Sequence, residues 1–377
     1  MGGPSRARTF VVQERRLAPV ASGYVFSLRG STLTKGEPVA TETRRETWLH
    51  KQLGKPQRLG FLILVAVLFA LGACLGLGWA AGFGRIADEL IHPNWFWLAL
   101  ALSAEACAYL GYTLAYREIV RAEGGAELEV PKSAALVATG FGVFLQGGGF
   151  ALDRAALERA GLSQREARGR VLGLSMLEYL ILAPATAAAA LVILLRHEAV
   201  RQSLTLPWVI GVPVGGALAL GALVFRDRFE GKRGWRRHIG DALRGLRLAL
   251  SLPQRPHKYG LGVLGMGVYW VGDIACLWAT LHVFSAQPPS PAPLILAYAT
   301  GYALTRRALP LGGAGIVEVL LVFALAWVGI PLAKALLAVV LYRAINLWLP
   351  MIPALAGIPT LRVMEQRRPR RGAARAR

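Results

Sequence analysis

Residues 293–330 read PLILAYATGYALTRRALPLGGAGIVEVLLVFALAWVGI. The run is apolar enough for a membrane, but two arginines, a proline and a glycine-rich turn break it in the middle. Neither half reaches the ~20 residues that a helix needs to cross a ~30 Å hydrocarbon core. A second segment of this kind lies upstream at 133–157, SAALVATGFGVFLQGGGFALDRAAL. Ala138-Thr139-Gly140 matches Ala299-Thr300-Gly301 at an offset of 161, and Gly147, Gly148 and Asp153 match Gly312, Gly313 and Glu318 at an offset of 165. The second copy therefore has four extra residues around Arg306 and Arg307. YLILAP at 179–184 echoes INLWLP at 345–350 at an offset of 166. The pattern reads as an internal duplication of the kind that builds transporter folds.

The rest of the chain places both segments in a bilayer. Hydrophobic residues make up 54% of the 377, charged residues 17%, and the mean hydropathy is +0.44, outside the balance of soluble domains. Apolar stretches at 59–80, 95–116, 171–195, 207–225, 259–284 and 332–357 are each long enough to span. A soluble enzyme, a disordered scaffold and a disulfide-stapled secreted domain are excluded. Cys74, Cys107 and Cys276 fall inside apolar stretches without CxxC or Cys/His spacing. They are expected to be small buried packing residues, with no metal site and no cofactor.

The net charge of +21 raises nucleic acid as a partner, but its distribution answers the question. With the N-terminus inside, 36 of the 43 Lys and Arg fall in 1–58, 117–132, 154–170, 226–258 and 362–377, all on one side. Opposite segments hold only Arg85, Arg196 and Arg201, while Arg306, Arg307, Lys334 and Arg343 fall at membrane depth. This is the positive-inside asymmetry, which predicts a multi-pass protein of the cell (inner) membrane with both termini cytoplasmic and no nucleic-acid partner. Residues 1–58 are expected to be a basic, disordered cytoplasmic extension, 59–361 the transmembrane domain, and 362–377 an Arg-rich cytoplasmic tail. The first apolar stretch reads as a retained signal anchor. In the connector 226–258, Trp235, Ile239, Leu243, Leu246 and Leu250 share a helical face opposite Arg236, Arg237, Arg244 and Arg247. That pattern predicts a helix lying on the anionic cytoplasmic leaflet. Trp79, Trp95, Trp97 and Trp208 sit at span ends, where indoles form an interfacial belt.

Orientation gives the duplication a geometry. Residues 133–170 begin and end beside cytoplasmic charge, whereas the second copy begins at the uncharged SAQPPSPAP, 285–293, on the other side. Each copy is drawn as a hairpin that enters and leaves by one face. The fold class is an all-α polytopic membrane protein: about six full spans plus two re-entrant half-helix hairpins arranged as an inverted repeat.

Glu105, Glu178, Asp273, Glu318 and Arg343 lie inside spans or hairpins, and Arg306 and Arg307 flank the second glycine turn. An ionisable group at a helix centre costs about 2.5–3.5 kcal/mol on insertion scales, so these groups must pair or face water. One reading is a set of buried ion pairs that fix helix packing. The other is a cavity whose guanidinium groups receive an anionic head group, a role that suits the planar, permanently charged arginine fork. Half-helix N-termini after Gly149 and Gly315 would add partial positive charge, and Glu318 would complement the second dipole. GGG at 147–149 and GGAG at 312–315 lack the ending of a nucleotide P-loop. The histidines lack metal spacing, and Ser103, Ser133 and Ser175 have no evident His/Asp partners. No catalytic constellation emerges.

LPLGGAGIVEVLL at 309–321, LYRAINLWLP at 341–350 and the earlier glycine-plus-charge hairpin resemble the flippase-like transmembrane region of lysylphosphatidylglycerol synthases and their stand-alone relatives. The resemblance covers roughly 59–361 and is most specific in the second half. The first half departs from it: the family usually has a proline and a Gly-acidic-x-x-Arg string, where this chain has Gln146, Gly147, Gly148 and Gly149, then Asp153-Arg154 later. The resemblance implies that Pro310, Gly312, Gly313, Gly315, Glu318 and Arg343 line a central cavity. It also implies that the substrate is a phospholipid or another lipid-linked anion crossing between leaflets. Adding the charge reading, the expected cavity set also takes in Arg306, Arg307, Gly147, Gly148, Gly149, Asp153, Arg154, Glu178 and Asp273. The 20 residues after Gly357 leave no room for the family's lysine-transferring domain, so no enzymatic activity is expected. The alternatives are a non-transporting membrane subunit that scaffolds an envelope glycolipid or polysaccharide enzyme, or a small-anion secondary carrier.

Overall fold

A computed structural model describes residues 56–90, 93–143, 153–154, 157–158, 161–225, 228, 235–287, 289–303 and 313–350. The chain divides at Gln57, and the architecture below concerns the unit Arg58–Arg377. The N-terminal extension and C-terminal tail, both glycine turns at 147–149 and 306–312, and the last part of the 332–357 stretch lie outside the described residues.

Among the described residues every regular element is helical. Five helices are long and apolar enough to cross a membrane: α1 (Pro56–Ala81), α3 (Trp95–Arg121), α5 (Gln164–Leu195), α6 (Gln202–Val224) and α8 (Pro256–Val283). A short α2 (Phe83–Leu90) links the first two. The chain is thus an all-helical, multi-pass membrane protein. Its outer surface agrees: Trp79, Leu218 and Val224 are more than two-thirds exposed, which suits lipid and would be a liability in water.

The remaining helices are shorter. They are α4 (Val130–Val143), α7 (Trp235–Gln254), α9 (Pro291–Tyr298), α10 (Ile316–Trp327) and α11 (Leu332–Arg343). At 1.5 Å per residue, α4 is about 21 Å long and α10 about 18 Å, short of a hydrocarbon core. α9 continues as a π-helical turn over Ala299–Ala303, and α11 as another over Ala344–Trp348. The sixth expected span is therefore interrupted within its described part. α9 and its π turn pack against α10: a Cβ on Gly301 would lie 2.6 Å from Leu321 Cα, an approach that only glycine permits.

α3 and α8 form the most extensive helix pair. A Cβ on Gly111 would fall 2.5 Å from the Gly265 carbonyl oxygen, and one on Gly272 would fall 2.7 Å from that of Ala104. Rising numbers on α3 meet falling numbers on α8, so the two run antiparallel. Small residues drive this contact because lipid gives apolar helices no hydrophobic reason to associate; close backbone packing supplies the attraction instead.

Local chemistry sets the helix ends. Ser163 and Glu166 form a reciprocal capping box, Glu166 N–H donating to Ser163 Oγ at 3.3 Å and Ser163 N–H to Glu166 Oε2 at 2.9 Å. This pair starts α5 seven residues before the apolar stretch begins. The buried Arg170 donates from Nε to Val120 O at 2.8 Å and from Nη2 to Ala122 O at 3.0 Å. It thereby satisfies the orphan carbonyls at the end of α3.

Three packing expectations change. The apolar face of α7 is covered by α5: Leu243, Leu246 and Leu252 are buried, Gly245 lies against Leu172 and Gly173, and Arg168 and Arg244 both pair with Asp241. An amphipathic face cannot distinguish lipid from a neighbouring helix by its period alone. Among the belt tryptophans, Trp79 and Trp95 are exposed, but Trp208 is buried and donates from Nε1 to Thr300 Oγ1 at 2.9 Å. Trp97 stacks on His282 with centroids 4.1 Å apart. Of the cysteines, Cys276 is buried, Cys74 half-buried and Cys107 exposed. Lys334, expected at membrane depth, donates to Ser285 O at 3.1 Å beside the end of α8.

Candidate functional site

Asp273 sits midway along α8, with none of its surface exposed. A carboxylate there must find donors, since an unsatisfied buried charge costs several kcal/mol. Three converge on it. Tyr298 of α9 donates to Oδ2 at 2.6 Å, and Tyr342 of α11 to Oδ1 at 2.6 Å. Asn346, on the second π turn, donates from Nδ2 to Oδ1 at 3.1 Å. The same Asn346 nitrogen reaches Glu105 Oε1 on α3 at 3.1 Å, while its Oδ1 accepts from Tyr302 on the first π turn at 2.6 Å. One amide thus joins α3, α8 and the two π turns. Tyr298 and Tyr302, like Tyr342 and Asn346, are spaced i, i+4, which puts each pair on one helix face. A π turn inserts an extra residue per turn and is a recurrent feature of functional sites.

The second part of the cluster is an ion pair. Arg343 donates from Nε to Glu318 Oε1 at 2.8 Å, both groups almost completely buried. The other carboxylate oxygen, Oε2, accepts the Gly315 N–H at 2.6 Å. Gly315 has φ +84 and a Cβ there would lie 2.9 Å from Phe69 O, so conformation and space both require glycine. The Arg343 guanidinium stands 5.7 Å from the centre of the Tyr302 ring, within cation–π range. Tyr302 therefore connects the Glu318–Arg343 pair to the Asp273–Asn346–Glu105 cluster.

Of the residues expected to line a cavity, the structure brings Asp273, Glu318 and Arg343 into this one buried assembly, with Gly315 holding the carboxylate. Gly313, at φ +71, belongs to the same turn. At Arg343 the expected open guanidinium surface is an ion pair, and the α10 N-terminus, expected to offer free N–H groups, has its Gly315 N–H occupied by Glu318. The reason is the capping geometry: an acidic residue three positions into a helix reaches back to the amide before it. Glu178 is buried on α5, where its carbonyl oxygen accepts the Trp270 Nε1–H at 3.0 Å. Arg154 Nε lies 3.6 Å from Glu158 Oε1, and no contact of Asp153 or Arg154 with this cluster is seen among the described residues. Arg306, Arg307, Pro310, Gly312, Gly147, Gly148 and Gly149 lie outside the described residues. The cluster also enlists Glu105, Tyr298, Tyr302, Tyr342 and Asn346, none of which was assigned to a cavity. The i, i+4 polar pairs inside apolar runs were the signal for four of them.

On the outer face of α3 and α8 lies an apolar groove of about 630 Å³, lined by Ala104, Cys107, Val268, Val271 and Gly272 among others. Ala104 and Gly272 directly precede Glu105 and Asp273, so the groove runs over the same helix pair that carries the polar cluster.

The fold is that of an all-helical, multi-pass membrane protein with a buried ionic cluster at the meeting of broken helices. The family defined by the lysylphosphatidylglycerol synthase TM region matches residues 60–354, and the chain belongs to it. No curated protein matches the chain.

Proposed function

We propose that this protein moves a phospholipid or another lipid-linked anion between membrane leaflets, without catalysis of its own. The carrying observation is the Glu318–Arg343 pair in its setting. Glu318 holds Arg343 with one oxygen and the Gly315 N–H with the other. A phosphate arriving at Arg343 replaces the carboxylate as the guanidinium's partner, while Glu318 keeps its cap. The pair is then the resting state of a head-group site, and arginine's planar fork is the group best suited to phosphate. The apolar groove across α3 and α8 offers acyl tails a path beside that site. The antiparallel α3–α8 contact supports an inverted duplication, because α3 precedes the first hairpin and α8 the second. In the orientation expected from charge, both termini are cytoplasmic and the partner leaflet is anionic.

One observation favours the scaffolding alternative. Asp273 and Arg343 are held by protein groups throughout, as in a purely structural ion network. Reconstitution separates the two readings. Liposomes carrying fluorescent phospholipid analogues and the purified chain are treated with an impermeant quencher. Transport requires more than half of the label to become accessible, with Arg343→Ala at least tenfold slower. Half-quenching across anionic and zwitterionic lipids alike, no faster than in empty liposomes, selects the scaffold.

A further inference from the structure

The buried cluster does not stand alone on α3. Glu105, Tyr109, Tyr112 and Tyr116 follow one another at i, i+4, i+7 and i+11, which keeps all four on one face of the helix. At 1.5 Å per residue the stripe runs about 16 Å from the Asp273 cluster toward the end of α3. Tyr112 is 6% exposed and Tyr116 2%. The Tyr116 hydroxyl is sealed from solvent and has no hydrogen-bond partner among the described residues. It lies in electrostatic range of Asp153, in the first hairpin. A second buried hydroxyl, Ser133 Oγ, also without a partner among the described residues, sits on α4, which packs against α3. Buried polar groups in native proteins are satisfied by protein or by ordered water.

We propose that this stripe is a proton path, leading from Asp153 through Tyr116, Tyr112 and Tyr109 to a proton-binding site at Glu105. Each phenol accepts a proton on its oxygen from one bridging water and releases its own to the next, so no charge or atom is left behind. Glu105 is the terminus for a geometric reason. Its Oε1 and Asp273 Oδ1 each lie 3.1 Å from Asn346 Nδ2, so the two carboxylates stand within about 6 Å of each other, where like charges in a low dielectric favour taking up a proton. Asp273 accepts hydrogen bonds from Tyr298, Tyr342 and Asn346, and Glu105 is the carboxylate that takes the proton. The other groups facing Glu105 are Cys276 of α8, Tyr302 beyond α9, and Tyr342 and Arg343 of α11. Arg343 is the described cation among them, and it is held by Glu318. Driving lipid movement by this proton rests on the function proposed above; the path itself does not.

The test reads protonation directly. The full chain in lipid nanodiscs is followed by infrared spectroscopy during a pH jump between 8 and 5. The expected result is a protonated-carboxyl band that rises with acid, disappears in Glu105→Gln, and rises at least tenfold more slowly at unchanged amplitude in Tyr116→Phe. Glu105→Gln keeps an acceptor for Asn346, and a melting curve near that of the wild type confirms the fold. A band that survives Glu105→Gln, or a Tyr116→Phe rate equal to the wild type, overturns the proposal. Tyr116→Phe supplies a second reading: if the hydroxyl holds water, its removal lowers the melting temperature, whereas a rise means a dry site and no path. Protonation without lipid movement in liposomes keeps the path and removes the transport reading. Lipid movement with no titrating Glu105 does the reverse.

Discussion

Glu318 divides its two oxygens between a guanidinium on another helix and the amide that opens its own, so the two halves of the interaction fail differently. Arg343→Met strands a buried carboxylate and is expected to cost about 3–5 kcal/mol, whereas Glu318→Leu/Arg343→Met together recover most of that loss. Thermal unfolding in detergent checks this; a double variant no more stable than either single one contradicts it. At the second carboxylate, Tyr342→Phe removes one of the hydrogen bonds that Asp273 accepts and is expected to cost about 1.5–3 kcal/mol, as for a hydrogen bond to a charged group. A melting temperature unchanged within error would show that Asp273 is neutral there. The charged members of this cluster were legible as ionisable residues inside apolar runs. Their partners were not: Glu318 and Arg343 stand 25 positions apart, and Asn346 joins groups 73 and 241 positions away. Only the folded helices bring such positions together. The tyrosines were hidden for another reason, since a phenol in an apolar stretch reads first as core.

At the scale of the helices, glycine position separates contact from tolerance. A side chain at Gly111 meets backbone at 2.5 Å, while one at Gly267 on the partner helix meets nothing within 4 Å. Gly111→Val is therefore expected to force α3 and α8 apart, at a cost of about 1–3 kcal/mol, and Gly267→Val to be neutral. Equal melting temperatures for the two variants would refute the α3–α8 packing. Five of the six expected spans appear as long helices because length and hydropathy are enough to mark them. Their ends shift where capping chemistry intervenes, as at Ser163 and Glu166. The π turns at Ala299–Ala303 and Ala344–Trp348 left no mark in the hydrophobic period, because one inserted residue is invisible to a pattern already apolar on every side. For α7 the period was read correctly and its partner was not, since a leucine face fits α5 as well as it fits lipid.

For the molecule as a whole, labelling from each side of the membrane reads its orientation. In a cysteine-free background, Arg228→Cys and His197→Cys lie beyond opposite ends of α6. The positive-inside reading expects an impermeant maleimide to reach position 228 only from the cytoplasmic side and position 197 only from the other. Labelling of both from one side would mean that α6 does not cross. The central claim is that Arg343 exchanges Glu318 for the anionic head group of a lipid, and ligand-induced stabilisation tests it without requiring transport. Increasing amounts of anionic or zwitterionic phospholipid are added to the detergent-solubilised wild type and to Glu318→Leu/Arg343→Met, and the melting temperature is followed. A ligand that binds only the folded state stabilises it by about 2.7 kcal/mol at one hundred times its Kd. The account predicts a saturable rise with anionic lipid in the wild type that is absent from the double variant. An equal rise in both proteins would show that the guanidinium is a strut in the fold and takes no part in holding lipid.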